Sequence, residues 1–155
     1  MSWLTFALMT VCSWGLYGLL LHSGQVAMAD PVNGRYKAFL FVGVAYTLTA
    51  VIGSVVVLLL NGASWNMPGK GIALSTIAGI AGALGAFGVV LAFAAKGTPS
   101  VVMSIVFAGA PIVNACVAMA VHPPPGGLAA LSWPFLLGIL LAAAGGFLVS
   151  LYKPG

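Results

Sequence analysis

The sequence has almost no acidic residues and few charges of any kind. It contains one Asp or Glu and five Lys or Arg among 155 residues, so 4% of the residues are charged. Soluble domains carry about 25%. A water-exposed surface cannot be built from so few charges, and the 62% of hydrophobic residues indicates that lipid surrounds most of the protein.

The basic residues stand singly, which does not suit a phosphate-binding patch. No nucleic-acid partner is therefore expected. The basic residues are Arg35, Lys37, Lys70, Lys96 and Lys153.

Residue patterns typical of catalysis are also missing. Catalysis needs an acid, a base, a nucleophile or a metal set, and the apolar runs offer only Ser, Thr, Tyr, Asn and the isolated Cys12 and Cys116. No H-E-x-x-H, G-x-S-x-G or phosphate-binding loop occurs. We therefore expect no enzyme activity, no metal and no cofactor.

What the sequence does contain is a series of long apolar runs separated by turn-forming residues. A run of about 20 residues is long enough to cross a membrane as a helix, and none of the runs shows the alternation of a barrel strand. We predict an all-α fold: a polytopic membrane helix bundle of five transmembrane helices, forming a single domain over residues 1–155. The predicted spans are residues 3–21, 38–60, 71–95, 99–121 and 132–152.

The first apolar run ends near a possible leader-cleavage site, Ala27-Met28-Ala29. A cleaved leader has a basic residue before a short apolar region. Here no Lys or Arg precedes the run, and the run itself is longer than a leader needs. We expect the first helix to be retained.

The positions of the basic residues predict an orientation. Loops on the cytoplasmic side are enriched in Lys and Arg. With the N-terminus outside, four of the five basic residues lie on the cytoplasmic side, and Lys70 alone lies outside. We predict an integral protein of the cytoplasmic membrane (the inner membrane, if the source is bacterial) with the N-terminus out and the C-terminus in.

Two of the predicted spans carry small residues at regular spacing. Small residues let helix backbones approach closely in lipid. This spacing leaves two uses open: packing within one bundle, or a surface that moves or binds another subunit. The residues are Gly79, Gly82, Gly85 and Gly88 in the third span and Gly138, Ala142 and Gly146 in the fifth.

Some polar and aromatic residues interrupt the apolar runs. Trp14 and Tyr17 lie on one stripe of the first span, and Tyr46 in the second and Ser104 in the fourth could complete a mildly polar interior. Trp and Tyr each carry a polar group that needs a partner when buried. The stripe therefore either packs within the bundle or lines a substrate cavity.

The fourth span contains a proline and an asparagine near its middle. Pro111 has no backbone N–H to donate, which predicts a helix kink. Asn114 lies three residues further, nearly on the same face, and an asparagine in hydrocarbon is costly unless it is paired. Asn114 either bonds a neighbouring helix or faces a substrate.

Five motifs follow one another along the chain: Trp14-Gly15, the glycine-rich third span running into Phe93-Ala94-Ala95, Lys96-Gly97-Thr98-Pro99, Ala110-Pro111 and the glycine-rich stretch 138–146. In this order they resemble one half of an EamA-type protein of the drug/metabolite transporter superfamily. Such proteins usually have ten helices, as two five-helix repeats of opposite orientation with a substrate cavity between them. The resemblance implies a half-transporter that forms a homodimer or pairs with a related five-helix chain.

The chain departs from that family in its acidic residues. Members commonly have a Glu at the end of the fourth span, where this sequence has Val121-His122. No Asp or Glu lies in any predicted span. Proton coupling through a membrane carboxylate is therefore excluded, because such relays depend on ionisable groups inside the membrane.

Two functions remain as hypotheses. The first is a transporter subunit that moves a small organic molecule by alternating access; its cargo would be neutral, amphipathic or anionic, since no fixed negative charge is present to attract a cation. The second is a structural or accessory membrane subunit whose glycine faces pack against a larger complex.

Overall fold

A computed structural model describes residues 2–127 and 131–152. The described residues form helices and connecting turns, with no strand among them. The helices are α1 (Trp3–Ala27), α2 (Gly34–Tyr46), a π-helical segment (Thr47–Ile52), α3 (Gly53–Leu60), α4 (Gly69–Ala94), α5 (Pro99–Val121) and α6 (Trp133–Leu151).

Within residues 2–127 and 131–152, five helical segments are long and apolar enough to cross a membrane. The segments α2, π and α3 follow one another without a break and count as one of the five, Gly34–Leu60. Large apolar side chains such as Leu19, Val51 and Ile77 lie on the outside of the structure. A helix satisfies its own backbone hydrogen bonds, so such a surface is stable in lipid. The predicted all-α fold with five apolar helices is confirmed, and the chain is an integral membrane protein.

The helices extend beyond the predicted apolar spans at three places, the smallest difference being at the start of α4, which begins at Gly69 rather than at residue 71. The first span was predicted to end at residue 21, but α1 continues to Ala27. The second was predicted from residue 38, but α2 begins at Gly34. Hydropathy indicates which residues lie in lipid, so it marks only the apolar part of a helix. The backbone hydrogen bonds that define the helix continue through polar residues beyond that part. The fourth span, predicted as 99–121, has the same bounds as α5.

The chain divides into two compact units, residues 1–95 and 96–155. In the first unit, α1 packs against α2, and α4 contacts both helices. Its buried apolar residues are Leu21, Ala38, Val89, Val90 and Phe93. They come from the second half of α1, the start of α2 and the second half of α4, so these helix ends hold the unit together. The single domain predicted over residues 1–155 stays a prediction.

In the second unit, α5 and α6 pack closely against each other. A Cβ atom added at Gly146 would overlap the Cβ of Ala108 and lie 3.3 Å from the carbonyl oxygen of Ser104. Gly146 therefore allows the two backbones to approach, as small residues do between helices in lipid. Pro111 lies inside α5, which runs through it. The kink predicted at Pro111 stays a prediction.

Candidate functional site

A cavity of about 460 Å³ lies between α1 and the second apolar span, α2 with the π-helical segment. Its wall is mostly apolar, with Leu, Ala, Val, Met and Phe side chains. Four residues give it hydroxyl groups: Ser13 and Tyr17 from α1, Tyr46 from the end of α2, and Thr49 from the π-helical segment. The cavity is lined entirely by residues of the first unit.

Two of these hydroxyl groups are already used within their own helices. Ser13 Oγ donates to the carbonyl oxygen of Met9 at 2.9 Å. Thr49 Oγ1 donates to the carbonyl oxygen of Ala45 at 2.8 Å. Each hydroxyl proton is therefore engaged, and only the remaining lone pairs can accept a hydrogen bond from a ligand.

Tyr17 differs from these two residues. Its hydroxyl oxygen is buried and has no hydrogen-bond partner in the described part of the chain. A buried polar group without a partner costs free energy, so such groups normally find a partner in protein, water or ligand. Tyr17 is thus a residue of the cavity wall whose hydroxyl group has unused hydrogen-bonding capacity within the described residues.

The predicted aromatic stripe is partly assembled around this cavity. Tyr17 and Tyr46 both line it, one from each side. Trp14 does not line it but packs beside Tyr17, with 6.5 Å between the ring centroids and 38° between the ring planes. Trp14 is 49% exposed, so it lies at the outside of α1 and supports Tyr17 rather than facing the cavity.

The two polar residues predicted from the fourth span lie in the second unit. Ser104 Oγ donates to the carbonyl oxygen of Ser100 at 2.6 Å, which satisfies its proton within α5. Asn114 is exposed on α5. Their role as cavity residues stays a prediction.

The π-helical segment was not predicted from the sequence. It runs from Thr47 to Ile52, directly after Tyr46. Such segments interrupt the regular hydrogen bonding of a helix and frequently occur at functional sites. Thr47 and Thr49 each donate to the carbonyl oxygen four residues earlier, a contact that often bends helices. Ser13 and Thr76 make the same contact within regular α-helices, so the two threonines gave no specific signal for this segment.

The glycine stripe of α4 has no neighbour within its unit. A Cβ atom added at any of its members would meet no atom of the described residues 2–95 within 4 Å. These members are Gly79, Gly82, Gly85 and Gly88. In α6, Gly138 is equally open within the second unit, and Ala142 is exposed. A partner-binding role for these positions stays a prediction.

Asp30, the one acidic residue of the sequence, is fixed in the turn between α1 and α2. Its Oδ1 accepts hydrogen bonds from the backbone N–H groups of Val32, at 3.1 Å, and Asn33, at 2.8 Å. Its Oδ2 accepts one from Lys37 Nζ at 2.7 Å. The Lys37 hydrogen bond, followed by that from Asn33, lowers the pKa of Asp30 from 3.8 to about 2. Asp30 is therefore ionised near neutral pH and stabilises the turn; it is not suited to carry protons.

Comparison with known proteins identifies no relative. No family model, no curated protein and no solved structure matches the chain. The resemblance to one half of an EamA-type transporter therefore stays a prediction. The residues and their geometry are the basis for the function proposed below.

Proposed function

We propose that this chain is a subunit of a membrane transporter that moves a small organic molecule by alternating access. The observation that carries this proposal is the cavity between α1 and α2, in which Tyr17 presents a buried hydroxyl without a partner and Tyr46 faces it from the other side. Hydroxyl groups in an otherwise apolar wall orient a ligand without binding it irreversibly, which suits a carrier.

The size and chemistry of the cavity define the cargo. Its volume of about 460 Å³ lies within the ~300–1,000 Å³ range of small-molecule pockets. No carboxylate is among its lining residues, so its wall has no fixed negative charge to attract a cation. A neutral or amphipathic molecule with an aromatic part fits this wall best, and an anionic one is not repelled. Transport then proceeds by facilitated diffusion or exchange, because no membrane carboxylate is present to couple it to protons.

The π-helical segment is the element we assign to the conformational change. Tyr46 directly precedes it, and Thr49 lies within it. A change between π-helical and α-helical hydrogen bonding shifts the register of the following residues. Such a shift would turn Thr49 relative to Tyr46 and alter the cavity wall.

The assembly we propose is a dimer of five-helix units, either two copies or one copy with a related five-helix chain. The order of motifs that resembles an EamA-type half supports this proposal, and so does the uncovered glycine stripe on α4. Small residues at such a stripe allow another helix to approach closely in lipid. The basic residues favour a cytoplasmic-membrane protein with its N-terminus out and its C-terminus in.

The test is solute flux in liposomes that contain the purified chain. The probes are N-acetyltryptophanamide, which is neutral and aromatic, and N-acetyltryptophan, its anionic analogue. We expect saturable efflux of at least one probe, lowered about three- to tenfold in Tyr17→Phe and Tyr46→Phe because each change removes one hydroxyl hydrogen bond. Tyr152→Phe is the matched control, since Tyr152 is 75% exposed and lies outside the cavity.

Three outcomes decide this test. Reduced flux in the two cavity variants, with normal flux in Tyr152→Phe, supports the proposal. Equal reduction in all three variants would assign the effect to general damage. Absence of saturable flux for both probes would count against transport and favour the second function.

That second function is a structural or accessory membrane subunit, and the uncovered glycine stripe of α4 is the observation that favours it. In this case the stripe packs against a larger complex. We expect the chain to co-purify with that complex from its native membrane and Gly82→Leu to abolish co-purification. Co-purification of Gly82→Leu at the level of the unchanged protein would contradict this function.

A further inference from the structure

A second and more polar cavity, of about 380 Å³, lies at one end of the first unit. It is formed where α1 ends, where α2 begins and where α4 ends. Its polar and charged wall residues are His22 and Gln25 of α1, Asp30 of the turn and Arg35 of α2. The proposed transport mechanism uses none of these four residues to contact cargo.

Two polar atoms in this wall are buried without a partner. His22 Nδ1 and Gln25 Oε1 are inaccessible to solvent and make no hydrogen bond in the described part of the chain. The two residues are three positions apart on α1 and so lie on the same face. Phe93 of α4 packs edge-on against the His22 ring, with 5.1 Å between centroids, and fixes it in place. Both side chains therefore have unused hydrogen-bonding capacity beside the cavity: His22 Nδ1 can donate or accept a hydrogen bond, whereas Gln25 Oε1 can only accept one.

The charges in the cavity favour an anion. The Asp30 carboxylate is engaged on both oxygens, by two backbone N–H groups and by Lys37 Nζ. Arg35 donates from Nε to the carbonyl oxygen of Val32 at 3.1 Å. Within the described residues the ion pair is between Lys37 and Asp30, and none includes Arg35. The Arg35 guanidinium is thus the charge in the cavity that lacks a counter-ion, while the carboxylate is already neutralised.

The position of the cavity places it near the membrane surface. α1 has 25 residues. At ~1.5 Å per residue it is about 37 Å long, compared with about 30 Å for the hydrocarbon core. The apolar run of α1 ends at Leu21, and polar residues follow it, so the surplus length belongs at this end and places His22 and Gln25 near the level of the lipid headgroups.

We propose that this cavity binds a phosphate-bearing group, either a lipid headgroup or a soluble phosphate ester. Arg35 supplies the cation, and a guanidinium matches the oxygens of a phosphate through paired N–H donors. His22 supplies a further hydrogen bond through its ring N–H, and the unpartnered Gln25 Oε1 accepts one from a hydroxyl group of the same ligand. This site is separate from the tyrosine cavity and does not depend on the transport proposal.

The experiment measures the melting temperature of the purified full chain in neutral detergent, since a ligand that binds the folded state raises it. The added probes are phosphatidylglycerol, diacylglycerol with the same acyl chains but no phosphate, and glycerol 3-phosphate, all at one ionic strength. We expect a rise of about 4 °C with a phosphate-bearing probe and none with diacylglycerol. Arg35→Gln should lose most of the rise, whereas Lys70→Gln, which removes the same charge from the start of α4, should keep it.

The two phosphate sources are separated by the same data. A rise with phosphatidylglycerol alone assigns a lipid headgroup, and a rise with glycerol 3-phosphate assigns a soluble ester; both uphold the site. No rise with either probe overturns it, as does equal loss in Arg35→Gln and Lys70→Gln. If Arg35→Gln does not fold, His22→Phe replaces it, because it keeps a ring beside Phe93 and removes the hydrogen-bonding nitrogens; a full rise in His22→Phe also overturns the site.

Discussion

Glycine residues have different surroundings in the two units of this protein. In α6 of the second unit, Gly146 lies directly against Ala108, and the close approach of α5 and α6 depends on the missing side chain. In α4 of the first unit, the glycine stripe from Gly79 to Gly88 has no neighbour within its unit. Regular spacing of small residues thus predicts a surface that helices can approach, and only the structure shows which of these surfaces is filled within its own unit.

The largest expected effect is at the filled position. Gly146→Leu places a side chain where Ala108 already lies, and overpacking of this kind costs about 1–3 kcal/mol or more. We expect the α5–α6 pair to separate at lower denaturant concentration, measured by unfolding in mixed micelles. Gly138→Leu on the same helix is the matched control, since nothing in its unit lies within 4 Å of a Cβ there. Equal loss of stability in both variants would contradict the assignment of Gly146 as the packing residue.

The first unit also contains a glycine in close contact with its neighbours, Gly34, which can be compared with an open glycine of the same helix. A Cβ atom at Gly34 would lie 3.1 Å from the carbonyl oxygen of Gln25 and 3.4 Å from the Cβ of Met28. Gly34→Ala should therefore destabilise the junction of α1 and α2 by about 1 kcal/mol, measured by the same unfolding assay.

The control for this change is Gly43→Ala, because nothing lies within 4 Å of a Cβ at Gly43. In an open helical position, alanine is favoured over glycine by about 0.5–1 kcal/mol. The two substitutions should therefore have opposite signs. A stabilising Gly34→Ala would show that the junction is looser than the structure describes.

Substitutions in the glycine stripe of α4 should weaken association between chains rather than lower the stability of the chain itself. We expect Gly82→Leu not to lower the stability of the isolated chain, because its side chain meets nothing in its unit and leucine is a better helix former than glycine. It should nevertheless lower energy transfer between donor- and acceptor-labelled chains in liposomes. Unchanged energy transfer would exclude this stripe from the proposed dimer interface.

The smallest expected effect is the pH dependence of the turn between α1 and α2. The pKa of Asp30 is lowered from 3.8 to about 2, so its ionised form is stabilised by folding. This contribution is fully present above pH 3.8 and is lost as the pH falls through about 2. The difference in unfolding between the unchanged protein and Asp30→Asn should therefore be constant from neutral pH down to about 5 and disappear near pH 2. A difference that vanishes already at pH 5 would contradict the hydrogen bonds assigned to this carboxylate.

The helices themselves could be predicted, because a long apolar segment in lipid must satisfy its own backbone hydrogen bonds and a helix does this within the segment. The end of α1 could not be placed from hydropathy, since His22 and Gln25 are polar and yet remain in the helix. The start of α5 could be predicted, because Pro99 suits the first turn of a helix and the residue before a proline disfavours helical geometry.

Part of the candidate cavity could also be predicted from the sequence. Helical spacing placed Trp14 and Tyr17 on one stripe, but it did not show that Tyr17 faces the cavity while Trp14 packs outside it. The π-helical segment depends on competition between nearly equal backbone hydrogen bonds, which residue types alone do not resolve. The role that we propose for Arg35 could not be predicted from the sequence, because it depends on Lys37, and not Arg35, pairing with the carboxylate of Asp30.

Access of water to the tyrosine cavity is the measurement that tests alternating access most directly. Thr49→Cys is introduced into a chain with Cys12→Ala and Cys116→Ala, and a membrane-impermeant anionic methanethiosulfonate is added to either side of proteoliposomes. Val51→Cys, on the same π-helical segment but outside the cavity, is the control. We predict rapid labelling of Thr49→Cys from each side and slow labelling of Val51→Cys. Equally slow labelling at both positions would contradict a water-accessible transport cavity.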